Sequence, residues 1–174
     1  GNYKVNNGLY FAGTYNGNYK IISNLYIKTN DRNNGLFGKN SGCISNLLLE
    51  NVNFKVAGSS GAVCGYNQGT ISNCGTRNGE IITTAEEART GGVVGVNCGT
   101  IQNCYAAGDL EQRSYCYNGG IVAYVESGGT ITNSYSTTIS MGVIGFEGVS
   151  LIADTSTIVF EDSELILQTP IRFD

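Results

Sequence analysis

The sequence predicts an all-β chain wound as a parallel β-helix, a β-solenoid of about five to seven coils. Three observations carry that prediction. A short phrase recurs five times, as Ile22-Ser-Asn-Leu25, Ile44-Ser-Asn-Leu47, Ile71-Ser-Asn-Cys74, Ile101-Gln-Asn-Cys104 and Ile131-Thr-Asn-Ser134. Its asparagines fall at 24, 46, 73, 103 and 133, so successive spacings are 22, 27, 30 and 30 residues, within the range of stacked repeats. The composition, 25 Gly against one Pro with no Trp or His, suits short strands joined by tight turns. Helix formers gather only at Thr84–Arg89.

Taken in order, Gly1–Val5 lacks a charged start followed by an apolar stretch, so no signal peptide is read there. The repeat grammar is already under way at Phe11, which leads us to expect a fragment or processed form of a longer chain. Phe11–Ile27 reads as strand, Asn16-Gly17 turn, strand. One full repeat, Gly91–Leu110, reads as a small apolar strand, a turn at Asn97–Gly99, a strand at Thr100–Tyr105 and a short strand at Asp109–Glu111. The same grammar opens at Gly35, Gly61 and Gly119. Glu80–Gly91 and Asp109–Gly119 read as the loosest loops, with Arg89 and Arg113 as their exposed cleavage points. Residues 1–145 form the repeat region. Residues 146–174, with short β segments at 150–153, 157–161, 164–168 and 171–173, are expected to be a less regular C-terminal coil or cap of the same domain. A cap is needed because a solenoid end exposes unpaired backbone amides.

Parallel stacking sets equivalent residues about 4.8 Å apart, so like sits on like. Ile71, Ile101 and Ile131 then form one interior column, joined by Val63, Val93 and Ile121 from the preceding strand. Asn46, Asn73, Asn103 and Asn133 are expected to form a hydrogen-bonded amide ladder, although each could simply be a turn residue that tolerates unusual dihedrals. Gly61, Gly91 and Gly119 fit close coil packing or positive φ.

The formal net charge of -4, with no Lys/Arg cluster, argues against a nucleic-acid surface, and no apolar run approaches the roughly 18 residues of a spanning helix. The cysteines Cys43, Cys64, Cys74, Cys98, Cys104 and Cys116 largely follow repeat slots and read as small fillers. A Cys74–Cys104 bridge stays open, because stacked Cα atoms are close enough while parallel side-chain vectors suit the S–S torsion poorly. Without His or a Cys-x-x-Cys pair no metal or other cofactor is expected.

Catalytic residues are likewise not expected. A Cys or Ser nucleophile needs a base, and there is no His and no Ser-x-x-Lys arrangement. Asp109, Glu111, Glu126 and Glu147 fall singly at different turns rather than as a carboxylate pair, although a solenoid can bring distant acids onto one face. Tyr105, Tyr115, Tyr117, Tyr124 and Tyr135 are the candidate ligand-binding residues, since exposed rings in a Gly/Asn-rich setting stack on sugars or dock proteins. The Thr70, Thr100 and Thr130 column raises ice binding, against which the neighbouring Ser72, Gln102 and Thr132 are irregular.

Gly35-Leu-Phe-Gly38, with the recurring Gly-x-Ile-x-Asn and Gly-x-Val-x-Gly segments, resembles the GLUG repeat of large bacterial surface and secreted proteins such as immunoglobulin A1 metalloproteases. The resemblance covers about residues 11–145, with Ala123 replacing a motif Gly. It implies a right-handed winding and an extracellular or cell-surface setting, and brings no catalytic residue with it. The expected function is a non-catalytic structural or adhesive segment, a rigid spacer or a surface for a host protein or glycan. Neighbouring domains and self-association through the solenoid ends are its other expected partners. A polysaccharide-active β-helix enzyme or a carbohydrate-binding module is the alternative.

Overall fold

The computed structural model describes residues 10–85, 88–113, 117–137, 157–161 and 164–167. They are all-β, with parallel strands stacked as a solenoid of about four turns. An incomplete first coil holds β1 (Thr14–Ser23) and β2 (Tyr26–Thr29). The next coil holds β3 (Asn33–Asn34), β4 (Phe37–Asn40) and β5 (Cys43–Val56), followed by β6 (Ser59–Gly61), β7 (Cys64–Asn67) and β8 (Thr70–Thr83). A further coil holds β9 (Arg89–Gly91), β10 (Val94–Asn97), β11 (Thr100–Gln102) and β12 (Tyr105–Arg113). The last holds β13 (Tyr117–Gly119), β14 (Val122–Val125), β15 (Thr130–Thr132) and β16 (Tyr135–Ser136). Stacking assembles a long ten-stranded sheet and two four-stranded sheets, one ordered β14-β10-β7-β4 and the other β13-β9-β6-β3.

Register follows the repeat. Ile44, Ile71, Ile101 and Ile131 stand in one column, and none exposes any surface. Each such side chain taken from water contributes about 1.5–3 kcal/mol, which is why one β-branched residue recurs in the slot. Leu47, Cys74, Cys104 and Ser134 form a tapering buried column beside it. At the N-terminal end Phe37 packs against Phe11 and Tyr15, with ring centroids 4.9 and 5.3 Å away, covering the end of the core.

Glycines set the closeness of the two small sheets. A Cβ on Gly95 would lie 2.7 Å from the Ser60 nitrogen in the facing sheet, so only a missing side chain lets these strands approach. Gly61 and Gly91 pair in register, and a Cβ on either would meet backbone of the next coil; packing, not positive φ, requires them.

Several expectations are corrected. Ile22-Ser-Asn-Leu25 is out of phase with the other four phrases: Ile22 pairs with Leu49, while Ile44 pairs with Tyr15. Asn24 therefore shares a second corner with Asn51 and Asn78, all three at positive φ of 53° to 59°. The Asn16-Gly17 turn does not separate two strands: it is an irregularity inside β1, which stays parallel to β5 on both sides of it. Arg89 lies in β9, paired opposite Tyr117, rather than in a loose loop. The Cys74–Cys104 bridge, which the sequence left open, is not formed: both are free, buried thiols. At the far end β17 (Thr157–Glu161) pairs antiparallel with β15, and β18 (Glu164–Leu167) pairs antiparallel with β17, occupying the terminal edge of the long sheet.

Candidate functional site

Asn46, Asn73 and Asn103 sit at the corner where the long sheet bends, each with φ between 52° and 56°. Asn adopts this left-handed conformation more readily than other side-chain-bearing residues, and here the turn and the ladder coincide. Asn103 donates its amide to Asn73 (3.1 Å), Asn73 to Asn46 (3.0 Å) and Asn46 to Asn16 (3.0 Å). Asn133 shares the backbone conformation, at φ 46°, but makes no ladder bond among the described residues.

The ladder forms one wall of a groove of about 320 Å³ that is also lined by Tyr19, Leu47, Leu48 and Tyr105. Tyr105 reaches it because its register neighbour is Gly75, over which its ring lies; a Cβ at Gly75 would collide with that ring. Tyr135, one coil on, stacks on Tyr105 with centroids 5.8 Å apart and planes 14° apart. Burial pushes the Tyr105 phenol up, with the Arg77 guanidinium acting against it. Arg77 is itself held by Glu50 at 2.8 Å. Tyr19, 74% exposed, closes the N-terminal end from the irregular part of β1. The groove thus offers flat rings beside a row of amides whose remaining donors and acceptors face solvent, the usual materials for binding sugars or a polar protein surface.

The other candidate tyrosines lie elsewhere. Tyr117 and Tyr124 pack together at 5.8 Å, with the Arg89 guanidinium 4.6 Å from the Tyr124 ring and 5.9 Å from that of Tyr117. Tyr115 and Cys116 lie outside the described residues, as do Glu147 and the side chains of Asp109 and Glu111. Of the ice-binding column, Thr130 donates its hydroxyl to Thr100 at 3.3 Å.

Two polar arrangements were not anticipated from the sequence. Asn40, Asn67 and Asn97 form a second amide ladder, fully buried, with both steps 2.8 Å long. Each also accepts from the backbone N–H of the Gly two residues on. The signal was the Asn-x-Gly recurrence at 40, 67 and 97, legible only as a turn. The other is a trio: Tyr66 donates to Glu126 at 2.9 Å, with the Cys98 sulfur 3.0 Å from the Tyr66 oxygen and 3.1 Å from Glu126. Burial pushes the Cys98 thiol up to about 11, so it stays protonated at neutral pH and is no activated nucleophile. Burial, reinforced by contacts with Cys98 and Glu126, also raises the Tyr66 phenol.

Compared with protein-family models, with curated proteins and with solved structures, the chain matches none.

Proposed function

We propose that this chain is a non-catalytic structural and adhesive repeat segment of a bacterial surface or secreted protein. It acts as a stiff spacer whose ladder groove contacts a host glycan or protein. A right-handed winding of five to seven coils in all, and kinship with GLUG repeats, belong to the same reading, resting on the sequence grammar at 11–145. The observation that supports adhesion is the convergence of Tyr105 and Tyr19 with Asn46, Asn73 and Asn103 on one groove. Stiffness is supported by continuous backbone ladders running from coil to coil. The ice-binding alternative fares worse, because the hydroxyl column is partly occupied internally and its neighbours are irregular.

A glycan and matrix-protein array tests the reading. Tyr105→Ala is expected to weaken the strongest signals about tenfold, the loss of one aromatic contact, while the chain stays folded with a melting temperature lowered only by the lost Tyr135 stack. Binding that persists undiminished in both Tyr105→Ala and Asn73→Gly would remove the groove from this role. Turnover of a bound polysaccharide would favour the enzyme alternative.

A further inference from the structure

A second groove, of about 510 Å³, runs along the outer side of the β14-β10-β7-β4 sheet, against the segments at 30–33 and 57–59. Lys39, Tyr66, Val96 and Tyr124 occupy equivalent register positions across this sheet, and the first three line the groove. Tyr10 closes one end, its ring 6.5 Å from that of Tyr66 and beneath the Lys39 ammonium at 5.1 Å. Arg89, stacked over Tyr124, also lines it.

The charges here are unevenly satisfied. Among the described residues the groove's two acids already have partners: Glu126 accepts from Tyr66, and Asp31 accepts from the Thr29 hydroxyl at 3.0 Å. Its three cations meet aromatic rings at most, and none has a carboxylate partner among the described residues. The ion pairs recorded among the described residues are Lys55–Glu80 and Arg77–Glu50, and Arg32, Lys39 and Arg89 take part in neither. Arg89 Nε is buried with no acceptor, and an orphaned buried donor is costly unless a ligand supplies one.

We propose that this groove binds an acidic saccharide, a sugar ring bearing a carboxylate or a sulfate. The anion lies on Arg89, with Arg32 and Lys39 completing its charge shell. The Tyr124 ring lies 4.6 Å from the guanidinium carbon and positions the group, and a guanidinium fork matches a planar or tetrahedral oxyanion. Tyr10, 39% exposed, provides a face for the sugar ring, and Asn30, Asn33 and Ser59 provide partners for hydroxyls. The volume falls within the roughly 300–1,000 Å³ of small-ligand sites. A net charge of -4 over the whole chain disfavours long polyanions, so the ligand is a short acidic unit or chain end rather than nucleic acid.

Calorimetric titration of the full chain tests this with four probes: trigalacturonic acid, its neutral methyl ester, a sulfated disaccharide and inorganic sulfate. The acid or the sulfated sugar is expected to bind, with the ester and bare sulfate at least tenfold weaker; which of the two binds better separates carboxylate from sulfate. Arg32→Gln and Lys39→Gln, both surface changes, are each expected to weaken binding about tenfold, the weight of one charge-assisted hydrogen bond. Arg89→Lys, which keeps the charge but loses the fork, is expected to weaken it as much, with folding checked by thermal melt. Equal binding of acid and ester, full affinity in the Arg32→Gln/Lys39→Gln double variant, or no binding of either acidic sugar overturns the proposal. Tyr105→Ala leaves this binding untouched, so the two grooves fail or stand separately.

Discussion

Asn67 donates its side-chain amide to Asn97 across 2.8 Å, and neither residue exposes any surface. Asn67 also accepts from Asn40 and from the Gly69 backbone N–H, so one carboxamide ties three coils together. Asn67→Ala leaves the Gly69 amide without its acceptor and breaks both ladder steps, although Asn40 keeps the Gly42 carbonyl and Asn97 keeps the Gly99 N–H. At about 1–3 kcal/mol for the one buried group left unpaired and about 1 kcal/mol for each lost ladder bond, we expect a loss of roughly 3 kcal/mol in urea unfolding. A loss under about 1 kcal/mol would mean that the ladder is dispensable.

The outer ladder behaves differently because water can replace it. Asn73 is exposed and held at φ 52°. Asn73→Gly accepts that backbone and is expected to cost under about 1 kcal/mol, whereas Asn73→Ala adds about 1–2 kcal/mol of left-handed strain. Equal stabilities of the two variants would show that dihedral preference is not what selects Asn here.

Gly95→Ala forces a methyl group to within 2.7 Å of both the Gly65 oxygen and the Ser60 nitrogen. The expected cost is about 3 kcal/mol, the upper range of overpacking, since backbone on both sides cannot yield. Gly128→Ala meets nothing within 4 Å and suffers only from its φ of 83°, so about 1–2 kcal/mol is expected. Thermal melts of the pair check the contrast.

Alkaline pH is expected to weaken the fold. Burial pushes the Cys64 thiol up to about 12 and the Cys98 thiol up to about 11 from an ordinary 9.0. Thiols raised in the folded state stabilise it fully below the unfolded pKa, and that contribution is lost as pH rises through the folded values. Stability should therefore hold from pH 6 to 8 and fall between about 9 and 12. Cys64→Val, which installs the residue found at its register neighbour Val94, should flatten part of that fall. At pH 8 a thiol reagent should modify exposed Cys43 well before Cys64, Cys74, Cys98 or Cys104, as read by peptide mass mapping.

The legible parts of the chain are those where equal residues fill equal slots. Ile71, Ile101 and Ile131 declare their column because a narrow parallel interior repeats one shape coil after coil. The Cys74 and Cys104 slot was legible on the same ground, whereas the state of the thiols was not. Asn24 misleads for a physical reason: the long sheet bends at two corners, both demand a left-handed residue, and the same four-letter phrase satisfies either.

Periodicity and composition were thus enough to specify parallel stacking, the interior columns and the corner asparagines, since all of these are local preferences repeated at a fixed period. Closure of the chain in three dimensions settled the rest. It buried Asn40, Asn67 and Asn97 where Asn-x-Gly reads as an ordinary turn. It carried Tyr105 to the ladder while sending Tyr117 and Tyr124 to Arg89. It also brought Tyr66, Cys98 and Glu126 together across 60 residues of sequence. Such meetings depend on which sheet each coil position joins and how closely the glycines let the sheets approach, and neither is encoded in a local pattern.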